Sequence, residues 1–135
     1  MTDKILMDLA IDAMNKSYSP YSGFKVGAAL ECCDGEVFVG CNVENAALTP
    51  TCCAERVALF KAVSEGKREF KKIAVAGGKN GEIDKICTPC GVCRQALLEF
   101  CDGEFKVLCT DSQSIKEFKL SQLLPFGFSS GDVLL

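Results

Sequence analysis

Apolar positions along the chain recur with two different periods. Over residues 3–16, Ile5, Leu6, Leu9, Ala10, Ala13 and Met14 fall on one helical stripe behind Thr2, which can cap the first turn. The spacing therefore predicts a helix that ends before Pro20. Lys25–Cys32 and Glu36–Cys41 are short β-type runs joined by Asp34-Gly35, a dipeptide suited to the positive φ angles of a tight turn, and together they predict a hairpin. The helical period returns over Cys53–Ser64, with Gly66 where a C-cap belongs. Lys72–Ala76 predicts a buried strand ahead of a Gly77-Gly78-Lys79-Asn80-Gly81 loop, and Gly91–Phe100 a third helix stopped near Gly103. Phe105–Cys109 reads as the next strand and Ser114–Leu120 as a fifth. A helical turn at Leu120–Leu124 and the apolar tail Pro125-Phe126-Gly127-Phe128 follow.

That order sets the fold class. A strand, helix, strand succession implies a parallel pair with a right-handed crossover, whereas the hairpin is antiparallel. The expectation is an α/β fold with a mixed sheet of about five strands. With 135 residues and no repeat, linker or low-complexity tract, the chain reads as one domain over residues 1–135.

Composition narrows the chemistry. Lys and Arg number 15 against 18 Asp and Glu, a net charge of −3, and the one positive cluster, Lys67 to Lys72, is interrupted by Glu69. Nucleic acid is not an expected partner. The longest apolar runs, such as Ile73–Gly78, fall far short of the roughly 18 residues a membrane span needs, so no membrane partner is expected either. Histidine is absent, so acid–base work near neutral pH must fall to Glu, Asp, Cys, Tyr, Lys or a metal-bound water. The 10 cysteines follow a charged start, Met1-Thr2-Asp3-Lys4, that lacks the form of a signal peptide. They point to a reducing cytoplasm and to metal or catalytic thiols rather than a disulfide framework.

The informative constellation is Cys53-Ala54-Glu55 with Pro89-Cys90-Gly91-Val92-Cys93. Both groups fall at predicted helix N-termini, where backbone N–H groups and the helix dipole favour thiolates. Cys90 and Cys93, three apart, share a helix face, and Cys53 can approach from the other helix to complete three tetrahedral positions with a fourth open to water. Two other readings fit the spacing: a closed structural site that adds Cys52 or Cys87, and a redox dithiol at Cys87-Thr88-Pro89-Cys90. Neither explains Glu55. Cys32, Cys33, Cys41, Cys101 and Cys109 read as small buried apolar residues.

These residues resemble the zinc-dependent nucleoside deaminases, and most closely the small homotetrameric cytidine deaminases. The signature of that wider group is H-x-E followed by P-C-x-x-C, which this chain carries in an all-cysteine form. The resemblance extends through Pro20-Tyr21-Ser22-Gly23-Phe24-Lys25-Val26-Gly27, Gly40-Cys41-Asn42-Val43-Glu44-Asn45-Ala46, Cys53-Ala54-Glu55-Arg56, Pro89 to Gln95 and Leu123-Leu124-Pro125, nearly the whole chain.

The resemblance implies a three-layer αβα cytidine-deaminase-like fold and one zinc ion per subunit on Cys53, Cys90 and Cys93. It further implies hydrolysis of cytidine, and deoxycytidine with it, to uridine or deoxyuridine and ammonia in pyrimidine salvage. Glu55 then serves as the catalytic acid–base between a zinc-activated water and the pyrimidine. Phe24, Asn42, Glu44 and Ala54 are implied as nucleoside contacts. Phe128 is implied as an aromatic lent to a neighbouring subunit, in a homotetramer with shared active sites. Three thiolates leave the zinc site net negative, and the adjacent cations are Arg56 and Arg94; the resemblance favours Arg56. Deamination of another aminopyrimidine or an antibiotic nucleoside is the alternative reaction. One departure stands out: Leu48 occupies the place of a tyrosine in the Asn-Ala-Ala-Tyr stretch of close relatives, which removes a phenolic hydrogen bond near the sugar.

Overall fold

The computed structural model describes residues 1–134. Its sheet consists of β1 (Phe24–Cys32), β2 (Val37–Cys41), β3 (Phe70–Lys79), β4 (Lys106–Thr110) and β5 (Ile115–Lys119), side by side in the order β2-β1-β3-β4-β5. Only the β3–β4 pair is parallel; β1–β2, β1–β3 and β4–β5 are antiparallel. The mixed five-stranded sheet expected from the element order is what the chain forms.

Helix α1 (Asp3–Ala13) covers one face, while α2 (Ala54–Ser64) and α3 (Gly91–Phe100) cover the other, giving three layers; α4 (Leu120–Leu123) follows β5. The alternation of strand side chains decides which residue serves which layer. Ala28, Leu30, Ile73, Val75, Val107 and Cys109 pack with α2 and α3, whereas Ala29, Ala74, Ala76 and Leu108 pack with Leu6, Met7, Ala10 and Met14 beside α1. With both faces covered, β1 and β3 read as nearly continuous apolar runs.

Small residues let the layers approach. A Cβ on Gly27 would collide with the backbone of Ala10 and Met14 in α1 and the turn after it, and one on Gly40 would lie 2.6 Å from both Ala54 O and Ala58 N. The first turn of α2 therefore rests on the bare backbone of β2, and this contact fixes the height at which Cys53 and Glu55 stand. At its other end α2 closes in a Schellman motif: Lys67 N–H donates to Ala62 O, Gly66 N–H donates to Val63 O, and Gly66 takes φ 93°.

Four expectations are corrected. The helix over 3–16 changes at Met14 into a 3₁₀ turn, Met14–Lys16, and Ile5 is exposed while Met7 takes the core position. The hairpin turn has three residues, Cys33-Asp34-Gly35, of which only Gly35 has positive φ (92°), because Glu31 pairs with Val37 and Cys32 N–H donates to Glu36 O. Cys33 is consequently exposed in that turn, and Cys41 is half-buried with its thiol donating to Lys16 O. Gly77 and Gly78 belong to β3, opposite Val26 and Lys25, rather than to a loop. A side chain on Gly78 would strike the Glu82 backbone, so these glycines mark a close approach, and the turn contracts to Asn80-Gly81.

Candidate active site and metal centre

Two helix starts face each other at one end of the sheet. Cys53 is the N-cap of α2 and Cys90 the N-cap of α3, both in extended conformation, and neither makes a side-chain cap. Cys93 lies buried in the first turn of α3. The three Sγ atoms lie within 4.8 Å of one another, with Cys53 and Cys90 at 3.7 Å. Among the described residues this is the single such group of three or more His, Cys, Asp or Glu.

One guanidinium serves two of the thiols. Arg56 Nε donates to Cys93 Sγ and Nη2 to Cys53 Sγ, each at 3.4 Å. Arg94 is spent elsewhere: it donates to Pro89 O and Leu123 O, both at 2.6 Å, and to Thr88 Oγ1 at 3.1 Å, bracing the loop before α3. The Cys93 thiol donating to Cys53, together with Arg56, pushes the Cys53 thiol down to about 5 against the effect of burial. Cys93 is pushed up in return, chiefly because its proton is the one shared with Cys53. A soft set of three thiols with an offsetting cation fits zinc, and three protein ligands leave one tetrahedral position for solvent or substrate.

Glu55 stands beside this group. It is the second residue of α2, buried, and its Oε1 has no hydrogen-bond partner in the chain. Burial pushes its carboxyl up to about 7. An unpartnered buried carboxyl oxygen is costly to a fold and calls for a partner from outside the chain. Cys52 and Cys87 do not join the thiol group. Cys52 is tied by its backbone to Val43 in both directions at 2.9 Å, and burial pushes the Cys87 thiol up to about 11, the opposite of what a redox nucleophile needs.

The outer residues are engaged with their own chain. Asn42 accepts at Oδ1 from Val26 N–H (2.9 Å) and Ser17 Oγ (2.5 Å) and donates from Nδ2 to Phe24 O (2.7 Å), which leaves one amide hydrogen. Glu44 accepts at Oε1 from Tyr21 and Ser22 N–H, and at Oε2 from the Ser22 hydroxyl. The Ser22 hydroxyl holds its carboxyl below the usual range. Ser17 and Ser22 thus support Asn42 and Glu44; Ser22 lies within the Pro20–Gly27 stretch, whereas nothing in the sequence marks Ser17. Ala54 is fully buried at the start of α2, against Gly40.

Phe24 lines a cleft of ≈470 Å³ whose other walls include Gly77, Ile83 and Cys87. Leu48 lines a separate cleft with Tyr21 and Glu44, and it is exposed with φ 66°, a conformation unusual for a branched side chain. Phe126 and Phe128 project from the tail into solvent; Gln95 donates to Phe128 O, which ties the tail to α3.

Comparison with known proteins agrees with this geometry. Residues 1–109 match the model of the cytidine and deoxycytidylate deaminase zinc-binding region. A cytidine deaminase of Sporosarcina psychrophila is 47% identical over 122 residues, 90% of this chain and 87% of that protein. One from Halalkalibacterium halodurans is 44% identical over 134 residues, 98% of each. Among solved structures, cytidine deaminase from Burkholderia pseudomallei superposes with a TM-score of 0.88 at 44% identity, covering 95% of this chain and 100% of that one. The Mycobacterium tuberculosis cytidine deaminase gives 0.81 at 36% identity, covering 95% and 98%.

Proposed function

The chain belongs to the cytidine and deoxycytidylate deaminase zinc-binding family, and on that footing we propose that it hydrolyses cytidine, and deoxycytidine with it, to the uracil nucleoside and ammonia. The observation that carries the reading is a buried carboxyl with a free oxygen set beside three convergent thiols that share one arginine. Zinc held by Cys53, Cys90 and Cys93 supplies, when bound, a Lewis acid that makes water a nucleophile at neutral pH. Arg56 offsets the thiolate charge.

Glu55 moves the protons. Its carboxylate takes one proton from the attacking water and delivers it to ring N3 as the oxygen adds at C4. It then carries the second proton of that water to the exocyclic nitrogen, which leaves as ammonia when C4 becomes a carbonyl. A carboxyl poised near 7 suits both transfers.

At the other end of the nucleoside, the spare Asn42 amide hydrogen and the spare acceptor position on Glu44 Oε2 match one acceptor and one donor of a ribose hydroxyl pair. Phe24 borders the base, while Ala54, fully buried against Gly40, presents no surface to it, and Phe128 is supplied by a neighbouring copy in a homotetramer, which explains a tail that leaves two phenylalanines in solvent. The enzyme works in the cytoplasm, in pyrimidine salvage; ten cysteines suit a reducing compartment. The test is stoichiometric: the zinc-loaded protein is expected to release one ammonia per uridine formed from cytidine. Release of no ammonia from either nucleoside would overturn the assignment.

A further inference from the structure

Cys87 is left without a role by the thiol group, yet it sits between that group and the wall that carries Phe24. In β3, Gly77 lies opposite Val26, two residues from Phe24. A Cβ placed on Gly77 would be 3.0 Å from Cys87 Sγ, 3.0 Å from Val26 Cγ2 and 3.2 Å from Phe24 Cε1, so the edge of the phenyl ring and the thiol meet over one bare backbone position. The same two side chains line the ≈470 Å³ cleft. Burial, with the nearby charges of Glu55, Cys53 and Cys90 behind it, keeps the Cys87 thiol protonated, and Cys87 stands three residues before Cys90 in the chain. It is therefore a small, neutral, apolar spacer between the reacting end of the site and the aromatic wall, not a ligand.

We infer that Cys87 determines specificity: with Gly77 beneath it, its side chain sets the room beside Phe24 and hence how large an aminopyrimidine ring the site admits. This rests on the proposed deaminase reading. N3 and the exocyclic nitrogen must face Glu55, so the ring tolerates added bulk only on the C5–C6 edge, and 5-methylcytidine is the smallest probe that enlarges the ring without altering its reacting atoms. Removing or adding about one to three carbons' worth of volume in an apolar pocket shifts discrimination by about tenfold or more.

The test compares wild type, Cys87→Ala and Cys87→Leu at matched zinc content, measuring kcat and KM for cytidine and 5-methylcytidine and, by calorimetry, the affinity for uridine. The expected result is a ratio of kcat/KM for 5-methylcytidine over cytidine that rises at least threefold in Cys87→Ala and falls about tenfold in Cys87→Leu. Uridine binding should weaken in Cys87→Leu, with kcat for cytidine within a few-fold of wild type. Unchanged ratios and uridine affinity in the Ala variant, which is small enough to fold, would overturn the inference while leaving deamination intact. A wild type inactive on cytidine would instead remove the reading beneath it.

Discussion

Glu55 is 4% exposed and Cys93 fully buried, whereas Phe24 and Phe128, the aromatics proposed for recognition, are 38% and 62% exposed. The inner group is assembled entirely by one chain, from two helix starts, one strand that yields its side chain to let α2 approach, and one arginine that bridges two sulfurs. The rim residues are either tied to their own backbone, as Asn42 and Glu44 are, or face solvent. Within the inner group burial is graded: Glu55 and Cys93 are buried, Cys53 is half-buried and Cys90 is exposed, so packing fixes the carboxyl and one thiol while the opposite side of the group stays open. The aromatics proposed for recognition lie on the surface.

Breaking the inner group should have the largest effect. Cys90→Ala removes one of the three convergent thiols, and it is expected to abolish zinc retention after dialysis and turnover with it, read by metal analysis and ammonia release.

The buried carboxyl makes the next contrast, this time in the metal-free protein. Glu55 is pushed up to about 7 in the folded chain from an ordinary 4.5. The unfolded chain loses that proton first, so the stability tied to protonated Glu55 is fully present below pH 4.5 and is lost as pH rises toward 7. The loss is on the order of 3 kcal/mol. Urea denaturation of metal-free wild type and Glu55→Gln across that window should show the variant's curve flatter by about this amount.

Arg56→Ala sharpens the comparison, since it leaves all three thiols but unpairs two of them. Zinc affinity is expected to fall about 10- to 100-fold in competition with a chelator, with a smaller drop in turnover once zinc is saturating. At the rim, Phe128→Ala should spare zinc binding altogether. It is expected to raise KM for cytidine about tenfold and to shift the sedimentation profile toward smaller species.

The inner group was largely legible in the sequence because its determinants are local. Cys53-x-Glu55 and Cys90-x-x-Cys93 carry the three thiols, the carboxyl and the helix starts that aim them. What escaped depends on contacts distant in sequence. Arg56 and Arg94 are equivalent by spacing, each adjacent to a motif residue, and only the resemblance favours Arg56; the structure supplies the physical reason, since the loop before α3 and Leu123 consume Arg94. The Gly77-Gly78 pair looks like a loop by composition, yet it is paired near one end of the β1–β3 ladder, where other atoms need the space its side chains would fill. The hairpin was foreseen, but its third turn residue was not, since a single αL glycine satisfies a three-residue turn as well as a dipeptide satisfies a two-residue one.

The central claim is that Glu55, not the metal group alone, carries the protons of the reaction. Ammonia release from cytidine by wild type and by Glu55→Gln at matched zinc content tests it most directly. Equal zinc, equal folding and a loss in kcat of about 10³-fold or more are expected, in keeping with a carboxyl that serves two transfers. A Glu55→Gln protein that holds zinc and turns over within tenfold of wild type would contradict it.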